Sequence, residues 1–322
     1  MILHIPHTAT TLPEYFSEQT PLSDDELLRE LYVMTDWHID QLFDASAARR
    51  IRFPWSRLLV DVERFADDAA EPMAEKGMGR FYTRTHDGRL LRPEPTPAER
   101  TRLVSLYNDH HYGLTQAVVE ELERLGEALI VDAHSFTDQP LPCNADQTRP
   151  RPDICIGMDS FHSPEGLVEG LCALFFERGY RVEINRPVSG SIVPKRYYRS
   201  NPKVRSVRID VNRRLYLHND KGINRLQSDL RDILATLDPE VPDPLPVTLP
   251  EPTPNPVPEY RVDWSDDMVK RSFATAFKTG KLVLPTSRIK ELEICSLAFE
   301  PAGSIQLPDC GHVILRLEEG ET

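Results

Sequence analysis

The stretch "ALIVDAHS", residues 128–135, decides the fold. Four apolar residues run straight into Asp132, Ala133, His134 and Ser135. A short apolar strand that ends on charged and nucleophilic groups fits an α/β sheet, where reactive side chains gather at the carboxyl ends of strands. Side chains alternate along a strand, so Asp132 and His134 share one face while Ala133 points to the other.

Runs of the same kind recur on both sides of it. "ILHIP" (2–6), "RLLVDV" (57–62), "DICIGM" (153–158), "YRVEIN" (180–185) and "SVRIDVN" (206–212) read as further strands. Between them, residues 24–46, 97–125 and 163–178 carry apolar positions at helical spacing, and Gly126 stops the second of these. Strands alternating with helices predict an α/β fold, with a mostly parallel or mixed central sheet flanked by helices. The pattern breaks at "LDPEVPDPLPVTLPEPTPNPVPEY", residues 237–260. Its prolines fix φ and remove N–H donors, so the run reads as a linker or an extended strap. The expected organisation is a catalytic domain over 1–236, the Pro-rich segment, and a small α+β appendage over 261–322.

Composition narrows the function. A net charge of −13 argues against a general nucleic-acid binder, which needs a basic face, but leaves room for a local basic pocket. No apolar run approaches the ~18 residues of a membrane span, and residues 1–22 do not read as a secretory signal. The five cysteines are scattered with no CxxC pair, which fits reduced thiols in the cytoplasm.

Polar residues at strand ends carry the chemistry. His7 follows the first strand, Asp36 lies in "TDWHID", and His134 ends "ALIVDAHS". Two imidazoles and a carboxylate, with one position left for water, are how hydrolytic zinc is held, although each residue taken alone suits capping or core packing equally well. His4 stands three residues before His7 and faces the other way, which makes it a structural residue.

Seven segments in order carry a family resemblance: "HIPHTATTLP", "TDWHIDQLFD", "SRLLVDVERF", "LIVDAHSF", "RPDICIG", "GYRVEINRPVSGSIVPKRYY" and "VRSVRIDVNRRLYL". Together they resemble N-formylglutamate amidohydrolases over residues 1–220. That family resembles the zinc carboxypeptidase and aspartoacylase superfamily, which implies a zinc-carboxypeptidase-like sheet, one zinc per chain and hydrolysis of an amide beside a carboxylate. The resemblance makes His7, Asp36 and His134 the metal ligands. Thr10 stands where the wider superfamily has a glutamate ligand, so Asp36 must complete the set. "VDVER" resembles a "VD-x-NR" motif whose arginine, here Arg64, reads the substrate carboxylate, with Glu63 replacing asparagine. "RIDVNR" resembles "I-E-x-N-R", which puts Asp210 in the place of the general base. Glu183 is the second candidate for that role.

Arg57, Arg64, Arg205 and Arg213 all lie near strand ends in this acidic chain, and arginine forks suit carboxylates. They suggest an anion pocket, or else ion pairs with neighbouring acids. Tyr197 and Tyr198 lie in a loop where one could donate to an oxyanion or simply pack, and His111 reads as a helix-packing residue. The combined expectation is a zinc-dependent hydrolase of N-acyl amino acids, formyl being the acyl group suggested, acting on a small-molecule carboxylate without nucleic-acid or membrane partners. Two alternatives differ in class. One is a peptide-like amide hydrolase that uses the C-terminal appendage for recognition; the other is a catalytically drifted module that binds a protein partner through that region.

Overall fold

The computed structural model describes residues 1–45 and 48–237, with the backbone of three short strands beyond them. At its centre runs β3 (Ala128–Phe136), buried along its whole length. Around it are β1 (Ile2–Ile5), β2 (Arg49–Arg52), β4 (Ile154–Gly157), β5 (Val182–Ile184) and β6 (Val204–Asn212), in the order β2-β1-β3-β6-β4-β5. Every pairing is parallel except β4 with β6, so the sheet is mixed.

The alternation of apolar residues divides the two faces. Leu3, Ile5, Leu129, Val131, Ala133, Val207 and Ile209 pack on one side against α3 (Ile39–Leu42), α5 (Glu165–Glu177) and α6 (Asp220–Leu237). Ile2, Ala128, Ile130 and Val204 pack on the other against Leu114, Ala117 and Val118 of α4 (Pro97–Leu125). Each fully buried aliphatic side chain contributes roughly 1.5–3 kcal/mol, so the sheet is pinned from both sides. On the α4 face this apolar packing covers only the amino ends of the strands. Polar residues take over at the carboxyl ends.

Local signals set the helices. In α4, Thr96 and Glu99 close a capping box, Pro97 opens the first turn, and Gly126 ends the helix at φ 76°. Another capping box, Ser23 with Glu26, starts α2 (Asp24–Met34). The helix expected over 24–46 is interrupted: the chain leaves helical geometry at Thr35 and resumes at α3, with His38 at φ 60° between them. At the break, the Asp36 N–H donates to the His7 carbonyl at 2.9 Å, which seats Asp36 at the end of β1.

The strand expected over 57–62 is not a strand. That segment is a chain of turns, with Leu59 N–H on the Ser56 carbonyl and Asp61 N–H on the Arg80 carbonyl, both at 2.9 Å. Leu58, Leu59, Val60 and Val62 bury themselves in a second core with Phe16, Leu31, Tyr82 and Leu91. The apolar run is buried, as its composition requires, but against a loop layer and not a sheet. The strand beside β1 is β2, whose polar "RRIR" gave no apolar signal.

The Pro-rich segment after Leu237 lies outside the described residues, as does any helix within 261–322. From that region the description covers β7 (Lys281–Val283), β8 (Ala298–Glu300) and β9 (Ser304–Gln306), an antiparallel sheet in the order β7-β9-β8.

Candidate active site

On the α4 face, the sheet register lines up a polar row. His4 lies opposite Asp132, Asp132 opposite Arg208, and His134 opposite Asp210. Facing them, the 57–64 turns bring Asp61, Glu63 and Arg64, the break before α3 brings Asp36, and α4 brings His110 and His111.

His7, Asp36 and His134 converge, each at most 2 % exposed. Asp36 Oδ2 lies 3.1 Å from His134 Nδ1 and 3.7 Å from His7 Nδ1. Ligand atoms about 2.1 Å from a tetrahedral zinc stand ~3.4 Å from one another, and these two separations bracket that value. His7 Nδ1 is buried with no hydrogen-bond partner. An orphaned buried imidazole nitrogen costs free energy unless something fills it, and a cation between the three groups would.

Each imidazole is held from behind by a separate carboxylate. His7 Nε2 lies 2.9 Å from Asp61 Oδ1, and His134 Nε2 lies 2.8 Å from Asp132 Oδ1. Those carboxylates favour ring protons on Nε2 and aim both Nδ1 atoms toward Asp36, the arrangement by which metal-ligating histidines are fixed. Asp36 Oδ1 accepts from Ser135 Oγ at 2.8 Å and Arg213 Nη2 at 3.1 Å, which leaves Oδ2 for the convergence point.

The charges follow this wiring. Burial pushes the Asp36 carboxyl up, but the hydrogen bond from His134, the nearby His7 imidazole and the charge of Arg213 outweigh it and hold the group well below the usual carboxylate range. Asp61 is held low in the same way: burial opposes its charge, and Arg57, His7 and Arg64 more than compensate. Burial and Arg208 push His134 down, yet Asp132 and Glu63 raise it well above an ordinary histidine. Without a metal, a proton on His134 carries the positive charge that these carboxylates demand.

Arg57 gives both donors to Asp61 Oδ2, and Tyr82 adds its hydroxyl to that oxygen at 2.6 Å. Arg64 is less engaged. It reaches the Tyr82 hydroxyl at 3.4 Å and lies 3.5 Å from Asp61, and its Nε has no hydrogen-bond partner. Arg213 is taken up by Asp36, Ser135 and the Val33 carbonyl. Asp210 is fully buried and grips Arg208 through both oxygens.

Three expected residues stand elsewhere. Glu183 lies on the edge strand β5, two strands from β6, and pairs with Arg186. Arg205 sits near the amino end of β6 and reaches Glu127 at 2.7 Å. Tyr197 is buried in the apolar cluster beneath α4 with Ile2 and Leu114, so it packs rather than overhanging the site. The exposed Tyr198 stacks near His162. His111 donates Nε2–H to the Val62 carbonyl at 2.9 Å, and burial lowers it to about 4.

Sequence reasoning missed Arg208, Glu63 as a site wall, and the role of His4. Arg208 Nη1 reaches Glu63 Oε2 at 2.8 Å and lies 3.9 Å from Asp132 Oδ2. His4 Nδ1 lies 2.8 Å from Asp132 Oδ1, and His4 Nε2 lies 2.8 Å from His110 Nε2. Burial, with His4 and His111 nearby, pushes His110 down to about 2, so it is neutral. The alternation of Val207, Ile209 and Val211 with Arg208 and Asp210 was the available signal: two opposite charges on one face of a core strand. Another cluster, Glu30, His86 and Asp87, spends its carboxylates on hydrogen bonds from His86, Thr85 and Arg89.

Such a site, with two carboxylate-backed imidazoles and a third acid at the carboxyl ends of a mixed α/β sheet, defines the chain as a hydrolase of amide C–N bonds once its relatives are considered. A family model for N-formylglutamate amidohydrolase matches residues 1–217, and the chain belongs to that family. Among solved structures it is similar to an N-formylglutamate amidohydrolase from Ralstonia eutropha JMP134, at 22% identity and a TM-score of 0.62 over 73% of this chain and 91% of that one. It is also similar to gene product Atu2144 from Agrobacterium tumefaciens, at 18% identity and a TM-score of 0.53 over 74% and 91%. At these identities the likeness concerns the fold. No curated protein matches the chain.

Proposed function

We propose that this chain is a zinc-dependent amidohydrolase that cleaves the N-acyl group, formyl first among candidates, from an amino acid or related small carboxylate. The observation that carries the reading is the orphaned His7 Nδ1, aimed at Asp36 and His134 while its other nitrogen is tied to Asp61. His7 Nδ1, His134 Nδ1 and Asp36 would hold the ion, which polarises a carbonyl and acidifies water when bound.

The chain's own groups supply the rest. Asp61 and Asp132 hold the ligand imidazoles in one tautomer, and Arg213 with Ser135 holds the far oxygen of Asp36. Asp210, beside His134 on the neighbouring strand, takes the proton from the attacking water and passes it to the departing amine. Arg208 orients that carboxylate through its bidentate grip. Arg64, whose Nε makes no hydrogen bond, reads the substrate carboxylate, while Arg57 and Arg213 act through Asp61 and Asp36. Turnover is assigned to residues 1–236, within which all of these groups fall.

The test is hydrolysis of N-formyl-L-glutamate, followed by formate release, alongside metal analysis. The His134→Ala variant is expected to lose turnover and the zinc held at Asp36. Full activity in native protein stripped of metal, or unchanged zinc and turnover in His134→Ala, would overturn the reading.

A further inference from the structure

We propose a second divalent-cation site beside the first, formed by His4, Glu63 and Asp132. These three, with His134, place one ligand atom each within 4.8 Å of one another. His4 and Asp132 are fully buried, and Glu63 has a side chain only 10% exposed. Two carboxylate oxygens in the group, Glu63 Oε1 and Asp132 Oδ2, are buried without a hydrogen-bond partner. Glu63 Oε1 stands 3.5 Å from His4 Nδ1, close to the ~3.4 Å edge of a tetrahedral zinc site.

Charge points the same way. Glu63 and Asp132 bring two negative charges into the protein interior, where like charges are costly without a cation. The guanidinium nearby is already engaged: Arg208 binds both oxygens of Asp210, sends Nη1 to Glu63 Oε2 at 2.8 Å, and comes no nearer than 3.9 Å to Asp132 Oδ2. One imidazole and two carboxylates then match a doubly charged ion such as zinc.

The remaining contacts accommodate this occupancy. Asp132 Oδ1 keeps the N–H of His134 Nε2 and gives up only the bond to His4. With Nδ1 bound to the ion, His4 carries its proton on Nε2 and donates it to neutral His110, 2.8 Å away. That supplies the acceptor a metal-ligating histidine requires on its other nitrogen.

The inference shares its neighbour with the proposed function but does not depend on turnover. The full-length protein is loaded with excess zinc, desalted and measured by elemental mass spectrometry, with circular dichroism to verify folding. About two zinc ions per chain are expected in the wild type, and about one in each of Glu63→Gln, His4→Gln and His7→Gln. Glu63→Gln is nearly isosteric, and the wild-type count is decisive by itself if a variant fails to fold. A wild-type count of one, falling to none in His7→Gln, overturns the second site and spares the first. Two ions retained in both Glu63→Gln and His4→Gln would also overturn it, and none in the wild type would sink both centres.

Discussion

Arg208 and Asp210 stand two residues apart on one face of β6, joined by two parallel hydrogen bonds, Nε to Oδ2 at 2.8 Å and Nη2 to Oδ1 at 3.0 Å. The shorter aspartate side chain at this position is thereby fixed in direction. In the proposed role of proton acceptor, Asp210 is expected to account for about 10²–10⁴-fold in kcat. Steady-state kinetics of Asp210→Asn should show that loss with zinc content unchanged. An Asp210→Asn enzyme with wild-type kcat would remove the residue from the mechanism.

Arg208 has a different signature. Its removal leaves Asp210 and Glu63 buried without their guanidinium, and breaking a buried pair costs about 3–5 kcal/mol. Urea unfolding of Arg208→Met should reveal a loss of that order. A stability within 1 kcal/mol or so of the wild type, small on the same scale, would mean the carboxylates find another partner.

Gly157 lies opposite Arg208 across the antiparallel β4–β6 pair. A Cβ there would stand 2.4 Å from the Gly190 carbonyl oxygen and 3.0 Å from the Arg208 Cβ. The first obstacle is backbone and cannot swing away. Gly157→Ala is therefore expected to destabilise by about 1–3 kcal/mol and to lower turnover through a displaced Arg208. Thermal melts and kinetics on the same preparation check both, and a neutral effect on each would show that the strand edge yields freely.

Asp61 holds His7 from behind, with Oδ1 2.9 Å from His7 Nε2. Losing its charge frees the His7 ring to take the wrong tautomer, and such partners are worth about 10–100-fold in metal affinity. Competition with a chromophoric chelator should show that weakening for zinc in Asp61→Asn. Unchanged affinity would mean that His7 is not a ligand through Nδ1.

These relationships also show what the sequence could convey. His7, Asp36 and His134 were readable because each sits at the end of an apolar run or beside a break, and β3 announced itself by composition. The placement of Asp36 was not readable, since "DWHID" continues helical spacing and only the tertiary bond to the His7 carbonyl ends the helix. "RLLV" has the composition of a strand, but its burial comes from a loop layer, which a single-chain pattern cannot distinguish. Arg205 and Glu183 lie on the right strands at the wrong end or the wrong edge, a matter of sheet order. Arg208 was hidden because an arginine between valine and isoleucine reads as the solvent side of a strand, whereas here that side is the site.

A final prediction concerns stability and pH away from the site. Fully buried Glu30 accepts the backbone N–H of His86 at 2.7 Å and faces its ring nitrogen Nδ1 at 2.5 Å. The hydrogen bond to Glu30 raises His86 above an ordinary histidine, more than burial lowers it. Folding therefore favours the protonated ring. The stabilisation is fully present below the unfolded value, ~6.5, and fades as pH rises through the higher folded value. Urea midpoints for the wild type and His86→Gln should lie furthest apart near pH 5.5 and converge by about pH 9. A gap that widens with rising pH would reverse the assignment and mean that the neutral ring is the form the fold prefers.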